Sequence, residues 1–190
     1  MHYCTYIFTE KIPTNEDIDR VMAPFYEGDF YRKLDEGSDG ERPAFLWDWC
    51  VLGGRYCGDI KLRIDKDNKE YKWYIYMSGG REGKIFRSSI FKTLSSGEKI
   101  YFSEEDYYPY MGWHDGYLYV DGAYAKDIMN IDDLNCYQFI DENGMGFARE
   151  SWNDAAEKFE KDELFDEEFK ATIERAKENN LFITVIDCHD

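Results

Sequence analysis

The 190-residue sequence has few of the features that mark secreted or membrane-spanning proteins. Its five cysteines are an odd number at wide spacing, which argues against the dense disulfide framework of a small secreted domain and favours reduced thiols. No window approaches the roughly 18 apolar residues of a membrane span, and the first ten residues lack the basic start and apolar run of a signal peptide. The sequence therefore predicts a cytoplasmic protein that does not bind membranes.

Positive charge is scarce relative to negative charge. The sequence has 23 Lys and Arg against 40 Asp and Glu, a formal net charge of −17. Residues 1–41 contain 4 basic and 10 acidic residues, and residues 101–190 contain 7 basic and 23 acidic residues. Only the middle, residues 42–100, has more basic residues (12) than acidic ones (7). A field of this sign repels nucleic acid and attracts basic proteins, so direct nucleic-acid binding is not expected. A surface that only maintains solubility is the alternative explanation.

Aromatic residues, by contrast, are abundant, with 16 Tyr, 13 Phe and 5 Trp. A chain of this length buries about two thirds of its unfolded surface, and large rings supply much of that area. Strands near both ends, helices beside them and a meander between predict one α+β domain over residues 1–190. We expect an antiparallel sheet with helices packed mainly on one face. Residues 42–100 form a basic, strand-rich middle, and 150–180 an acidic, helical part.

The first forty residues predict a strand, a helix and a loop. Residues 3–8, YCTYIF, are aromatic and β-branched, as strands are. Thr14 and Asp17 have the spacing of a capping box, and Pro24 is expected to end the helix early. Residues 28–42 are polar with three glycines and predict a surface loop. The apolar face of the helix follows from its periodicity: Ile18, Val21, Met22 and Phe25.

The middle of the sequence alternates polar and apolar residues as strands do. Residues 59–65 and 70–77 predict a hairpin with its turn at 66–69, and the segment that ends at Gly53 is expected to be a neighbouring strand. Three more segments are short and apolar or aromatic. They are 85–94, which fits either a helix or a strand, 117–122, and 136–144, which ends in an Asn143-Gly144 turn.

Two helices and a last strand are predicted at the C-terminal end. Ser151 is placed to cap the first helix. Residues 181–187, LFITVID, are almost continuously apolar, which indicates a strand in the middle of a sheet. Helical spacing assigns one apolar face to each helix: Trp152, Ala155, Ala156 and Phe159 on the first, and Phe165, Phe169, Ile173 and Ala176 on the second.

The stretch FLWDWCVLGGRYCGDIKL at 45–62 places two tryptophans around Asp48, just before Gly53-Gly54-Arg55. The glycines end a strand and permit backbone conformations closed to other residues. We expect the indoles to pack on the helices, and Asp48 to pair with Arg55 or Arg81 or to cap a turn. Two other interpretations stay open: an anion-binding nest formed by the Gly-Gly-Arg triplet, and a protein interface.

Two motifs carry a resemblance to a known group of proteins. The first motif is Trp47-Asp48-Trp49 followed by Gly53-Gly54-Arg55-Tyr56. It resembles a strand motif in uncharacterised proteins of phages and prophage-bearing bacteria, which consists of Asp-Trp, a variable run, Gly-Gly-Arg and an aromatic residue. The closing Asp187-Cys188-His189 is similar to the C-terminal Asp-Cys-His of the same proteins. This chain departs from their pattern at Cys50, Tyr56 and Asp190. The resemblance implies a phage or mobile-element context and no mechanism.

The histidines and cysteines offer one candidate metal site. If the terminal strands are neighbours, His2, Cys4, Cys188 and His189 together supply the donor types of a tetrahedral zinc site. Adjacent residues of a strand point to opposite faces, however, so we expect buried cysteines, exposed histidines, and no metal or other cofactor. No nucleophile accompanies the lone His114, and phosphate-loop, dinucleotide-binding and hydrolase motifs are missing from the sequence, so no catalytic residue is assigned.

Two functional hypotheses follow, with a ligand-free accessory protein as a third. The first is an acidic, phage-type binding protein that inhibits a host nucleic-acid-processing or defence enzyme, for example a CRISPR effector, by covering its basic surface. The alternative is a small enzyme or sensor that binds an anionic metabolite near Arg55, Arg81 and His114. The oligomeric state is left open. The first hypothesis assigns binding to an acidic, aromatic loop: Glu104, Glu105, Asp106, Tyr107, Tyr108, Tyr110 and Trp113.

Overall fold

The computed structural model describes residues 1–36, 42–56, 58–62, 71–77, 86–93, 99–101, 112–114, 117–153 and 156–190, and between Leu62 and Tyr119 it describes the backbone only. Among these residues, three α-helices and a mostly antiparallel set of strands confirm the predicted α+β class. The helices are α1 (Asn15–Met22), α2 (Glu27–Asp35) and α3 (Phe165–Asn179). The strands are β1 (His2–Thr9), β2 (Trp49–Leu52), β3 (Ile60–Leu62), β4 (Tyr71–Met77), β5 (Phe86–Thr93), β6 (Lys99–Tyr101), β7 (Gly112–His114), β8 (Tyr117–Val120), β9 (Gly122–Tyr124), β10 (Gln138–Ile140), β11 (Gly146–Ala148), β12 (Glu150–Asn153), β13 (Lys158–Lys161) and β14 (Phe182–His189).

The main sheet is built around β1 and β14. Its strand order is β11-β10-β1-β14-β2, and β9 pairs with the first part of β14 on the side of β2. β1 and β14 are antiparallel over their whole length, whereas β10 joins β1 in parallel. Every residue of β14 from Phe182 to Cys188 is buried. The prediction of a central, continuously apolar strand is therefore confirmed.

Alternate residues of β1 and β14 face two hydrophobic clusters on opposite sides of the sheet. The first cluster contains Tyr6 and Val185 and is covered by α3, whose predicted apolar face is buried. The second cluster contains Ile7 and Ile186 and is covered by α1. The helices are thus divided between the two faces, with α3 on one and α1 on the other.

The beginning of α1 is a capping box, as predicted. Thr14 Oγ1 accepts a hydrogen bond from the Asp17 N–H at 3.1 Å, and Asp17 Oδ2 accepts one from the Thr14 N–H at 3.0 Å. The helix ends at Met22, and Pro24 lies in the short 3-10 helix that follows, Ala23–Phe25.

The surface loop predicted over residues 28–42 is wrong for its first part, which belongs to α2. Acidic residues occupy the first turn of this helix and basic residues the last, an arrangement that the helix dipole favours. Arg32 pairs with Asp29 one turn earlier at 3.0 Å. Residues 31–36 are all exposed, so the polar composition reflects a solvated helix surface.

Strand pairing in the middle of the chain differs from the predicted hairpin. β3 pairs with β8 and β4 pairs with β5, in the separate sheets β3-β8-β7 and β4-β5-β6, while β2 joins β14. Ile60 lies opposite Val120, and burial of both side chains favours this distant partner for β3. The turn expected at 66–69 lies outside the described residues. The segment 85–94, left open between helix and strand, contains β5.

A β-hairpin replaces the helix predicted after Ser151. In β12 and β13, Trp152 lies opposite Phe159, and their rings meet edge to face at 5.3 Å. Asn153 Oδ1 accepts a hydrogen bond from the Ala156 N–H at 3.0 Å, which turns the chain where a helix would have continued. The turn predicted at Asn143-Gly144 is confirmed, and it joins β10 to β11 in an antiparallel pair. Within the described ranges, none of the helices has the length and apolarity that a bilayer crossing requires.

Candidate functional site

Three neighbouring strands bring two histidines and a tryptophan into one row at the end of the main sheet. His2 of β1 lies opposite His189 of β14, which lies opposite Trp49 of β2. The Asp190 N–H donates to the Met1 carbonyl at 3.0 Å, so the next pair inward, His2 and His189, is a non-hydrogen-bonded pair. Side chains approach most closely at such pairs, and the two imidazole centroids are 5.1 Å apart.

His2 is oriented by a buried carboxylate. Its Nδ1 lies 2.9 Å from Oδ1 of Asp187, a residue that is only 1% exposed. The second carboxylate oxygen of Asp187 accepts the backbone N–H of Arg55 at 2.9 Å. Both oxygens are thereby engaged, as a buried carboxylate requires. The Tyr56 hydroxyl donates to the His2 carbonyl at 2.9 Å, which holds the start of β1 against the same turn.

His189 forms a second pair of the same kind with Asp48. The Nδ1 and Oδ1 atoms are 2.9 Å apart, and the imidazole stacks on the Trp49 indole with centroids 5.2 Å apart and planes inclined by 10°. Partial desolvation acts to raise the pKa of Asp48, but the hydrogen bonds from His189 and from the Trp49 backbone outweigh it, so the pKa is lowered. Asp48 is therefore an anion at neutral pH.

The Gly-Gly-Arg turn packs against Asp187, the carboxylate of the first His–Asp pair. Gly53 and Gly54 have φ of 65° and 53°, and a Cβ on Gly54 would lie 2.4 Å from the Asp187 Cβ. Only glycine allows both this left-handed backbone and this close approach. The anion that the Arg55 N–H binds is thus the protein's own Asp187. The Arg55 side chain is exposed, and within the described part of the chain no ion pair holds its guanidinium.

These contacts determine which imidazole nitrogen is available to a ligand. A carboxylate accepts hydrogen bonds and does not donate them, so Nδ1 of each histidine carries a proton. In each neutral ring Nε2 is then a proton acceptor, and in each protonated ring it is a donor. We call the four residues His2, Asp187, His189 and Asp48 the paired His–Asp site. It has the parts needed for proton transfer, beside the exposed ring of Trp49 and the turn that carries the exposed residue Arg55.

The structure corrects two expectations about the opening stretch. Asp48 pairs with His189, whereas Arg55 or Arg81 was expected, and Trp49 is 42% exposed rather than packed on a helix. Trp47 does pack on α1, since its Nε1 donates to the Met22 carbonyl at 3.0 Å. The reason is the pairing of β2 with β14, which brings Asp48 and Trp49 to the C-terminal residues.

The four residues considered for zinc are brought together only in part. The terminal strands are neighbours, as the metal hypothesis requires, but Cys188 belongs to the cluster under α1 and His189 to the opposite face. Burial raises the pKa of the Cys188 thiol to about 12 and also raises that of Cys4. Among the described residues, no group of three or more His, Cys, Asp or Glu is arranged to hold a metal ion.

Most of the acidic, aromatic loop assigned to binding belongs to a part of the chain that the structure does not describe. Residues 104–110 and Arg81 lie outside the described residues, and so do the contacts predicted for them. Trp113 and His114 belong to β7, of which the structure describes the backbone alone. Of the alternative anion site, Arg55 is the member that the structure places, beside the paired His–Asp site.

Comparison of the chain with protein-family models, with curated proteins and with solved structures found no match.

Sequence reasoning missed both His–Asp pairs, although a signal for them was present. His2 was considered only as a metal ligand, and Asp187 was part of the motif Asp-Cys-His without an assigned role. Four parts of the two motifs converge in space on one site: Asp48, the Gly-Gly-Arg turn, Asp187 and His189. A motif whose polar residues alternate on one strand face, as Asp187 and His189 do, could have indicated a shared surface.

Proposed function

We propose that the paired His–Asp site binds a small anionic ligand that carries a phosphoester group and transfers protons during cleavage of that ester. The observation that carries the proposal is the adjacency of two imidazoles, 5.1 Å apart between centroids, each oriented by its own carboxylate. Two histidines in opposite protonation states are an effective acid–base pair for such a reaction. This proposal develops the hypothesis of a small enzyme that binds an anion near Arg55.

The roles follow from the available nitrogen of each ring. One neutral imidazole accepts through Nε2 the proton of the attacking hydroxyl or water, as the new P–O bond forms. The other, protonated imidazole donates its Nε2 proton to the departing oxygen, as the old P–O bond breaks. Asp187 and Asp48 are positioning residues, since each holds one ring through its Nδ1–H and so fixes its orientation and tautomer.

Two exposed residues would hold the substrate, Trp49 against the rings and Arg55 in the turn that contacts Asp187. The Arg55 guanidinium supplies positive charge and a planar donor fork that matches phosphate oxygens. Trp49, 42% exposed and stacked on His189, offers a face to an aromatic or apolar part of the ligand. Because the protein as a whole is acidic, this local cation favours a ligand with a compact anionic group over a long polyanion.

Hydrolysis of bis(p-nitrophenyl) phosphate across a pH series tests the proposal. A bell-shaped rate profile is expected, because one ring must be neutral and the other protonated. His2→Gln and His189→Gln should each lower the rate by about a hundredfold or more. Arg55→Gln should raise KM, and Arg32→Gln, which changes another exposed arginine, is the matched control.

Binding and chemistry are separated by a second measurement. Inorganic phosphate should shift the NMR signals of both imidazoles in the wild type and should not do so in Arg55→Gln. Absence of phosphate binding together with absence of hydrolysis would overturn the proposal. Binding without hydrolysis would reduce it to a sensor of the same anion.

The acidic binding protein is a second candidate, and the exposed surface of α3 and of the residues just before it favours this candidate. Glu163, Glu167 and Glu178 are all exposed, and no cationic partner for them is found among the described residues. Such carboxylates suit contact with a basic protein surface. In this proposal the protein is a phage-type inhibitor in the host cytoplasm, in line with the resemblance of its two motifs.

Capture from host lysate at low and high salt, with identification by mass spectrometry, tests this candidate. A specific basic partner should be retained at low salt and released as ionic strength rises. Simultaneous change of Glu163, Glu167 and Glu178 to Gln should weaken capture. The matched control changes three other exposed acidic residues to the corresponding amides: Glu16, Asp19 and Glu36. Capture that is insensitive to salt and to all six changes contradicts it.

A further inference from the structure

A second concave site lies at the same end of the main sheet, on the face opposite His2. Tyr3 projects there because it is adjacent to His2 on β1. The site is a cleft of about 190 Å³. An engineered apolar cavity of about 150 Å³ binds benzene, so this cleft has room for one substituted ring. Five aromatic side chains line it, and we call it the aromatic cleft: Tyr3, Phe45, Tyr137, Trp152 and Phe159.

The walls of the aromatic cleft suit a flat ligand. Tyr3 and Tyr137 lie against each other with centroids 4.7 Å apart, and Trp152 meets Phe159 edge to face across the β12–β13 hairpin. Phe159 is 56% exposed, an unusual exposure for a large apolar ring that lines a cleft. The Arg42 guanidinium lies 5.9 Å from the Trp152 ring centroid and adds positive charge at the side of the cleft.

A buried amide gives the aromatic cleft a polar floor. Gln138 is 3% exposed and lines the cleft. Its Oε1 accepts the Thr5 hydroxyl at 3.0 Å, and in this orientation the NH₂ group forms the other end of the amide. Within the described residues, that NH₂ group has no hydrogen-bond partner. The nitrogen is not among the fully buried side-chain atoms that lack a partner, so it keeps some accessible surface in the cleft and can donate to a ligand there.

An acceptor accompanies this donor. Glu150 also lines the aromatic cleft, and its Oε2 accepts the Tyr137 hydroxyl at 2.7 Å. That hydrogen bond holds the carboxylate in place, and among the described residues Oε1 has no partner. The cleft therefore combines aromatic walls, a donor amide and an acceptor carboxylate.

We propose that the aromatic cleft binds a planar heterocycle in which a carbonyl oxygen stands next to a ring N–H, as in uracil. Gln138 donates to the carbonyl oxygen, Glu150 accepts the ring N–H, and the aromatic side chains stack on the ring. Stacking and a donor–acceptor edge are the means by which proteins recognise single nucleobases. This site is independent of the paired His–Asp site and does not rest on its proposed function.

The proposal is tested by titrating the full chain with uridine while the NMR signals of the Gln138 side-chain amide and the Trp152 indole are recorded. Both signals should move at the same uridine concentration. 3-Methyluridine lacks the ring N–H and should bind about tenfold more weakly or worse, because the Glu150 carboxylate then faces a methyl group. His2→Gln should leave uridine binding unchanged, which separates this result from any outcome at the paired His–Asp site.

Two variants complete the test. Phe159→Ala removes an exposed wall and should weaken uridine binding about tenfold, while Leu164→Ala, at another exposed apolar residue, should not change it. Gln138→Met removes the donor and should also weaken uridine binding. The Thr5 hydroxyl can then donate to Cys188 Sγ, which lies 3.2 Å away, so the variant does not leave that buried hydroxyl without a partner. The proposal is overturned if uridine moves neither NMR signal. It is also overturned if 3-methyluridine binds as tightly as uridine and Phe159→Ala binds uridine as tightly as Leu164→Ala does.

Discussion

His2 and Asp187 are separated by 185 residues in the chain, yet Nδ1 of the one lies 2.9 Å from Oδ1 of the other. The contact exists because β1 and β14 pair along their whole length and place His2 next to the end of β14. The same carboxylate receives the Arg55 N–H, so three distant parts of the sequence meet at one buried group.

Replacement of Asp187 by Asn should change the tautomer of His2 without unfolding the protein. The Asn carbonyl can still accept the Arg55 N–H, while its NH₂ group faces His2 Nδ1 and forces the proton to Nε2. Long-range nitrogen–proton NMR of the imidazole should detect the move of the proton from Nδ1 to Nε2. Any acid–base activity should fall by a factor of about 10⁴, as in triad enzymes. Asp48→Asn should move the His189 signals and leave those of His2 in place.

Alanine at Gly54 should destabilise the protein more than alanine at Gly144. Both glycines have positive φ, which costs a residue with a Cβ about 1–2 kcal/mol. At Gly54 the new methyl group would also overlap Asp187, at about 1–3 kcal/mol more, whereas at Gly144 nothing lies within 4 Å. Urea unfolding of the two variants measures the difference. Equal losses of stability would show that the Gly54 turn can move away from Asp187.

The four cysteines that the structure describes should resist alkylation in the native protein. Burial raises the pKa of Cys50 to about 11 and of Cys188 to about 12, and it raises the pKa of Cys4 and Cys136 as well. At pH 8 the thiolate fraction of Cys50 is then about 10⁻³. Iodoacetamide labelling, read peptide by peptide with and without urea, should show modification of these four only after unfolding. Rapid native labelling of Cys188 would contradict the burial.

Truncation of Phe169 should cost about 3–5 kcal/mol of unfolding free energy. The side chain is 8% exposed and its ring lies 5.3 Å from that of Phe139 between α3 and the sheet. Phe159→Ala, at an exposed ring of the β12–β13 hairpin, should cost less than about 1 kcal/mol and serves as the control. Denaturant unfolding measures both. Similar costs would mean that α3 is not part of the core.

The capping box should contribute to stability only above acidic pH. Hydrogen bonds from the Thr14 backbone and side chain lower the pKa of Asp17 below its ordinary value of 3.8. A carboxyl with a lowered pKa stabilises the fold above the unfolded value and loses that contribution as pH falls through the folded value. The difference in unfolding free energy between wild type and Asp17→Asn should therefore be present at neutral pH and shrink below pH 3.8. A difference that stays constant well below pH 3.8 would argue against the shift.

Elements governed by local rules were predicted well. The cap of α1 depends on residues three apart, and the buried face of α3 on one helical period, so both can be recognised in a short window. The continuous apolar sequence of β14 indicated a central strand for the same reason. Prediction was wrong at α2 and at the β12–β13 hairpin, where polar or mixed residues fit two local structures equally and tertiary packing selected one.

The sequence by itself determined the α+β class, the acidic character and the faces of α1, α3 and β14, because composition and periodicity act over a few residues. Only the tertiary structure decided that His2 meets Asp187 and that His189 meets Asp48, because strand pairing joins segments whose separation carries no local signal. The aromatic cleft has the same origin, since Tyr3, Gln138 and Trp152 become neighbours only when β1, β10 and the late hairpin are assembled.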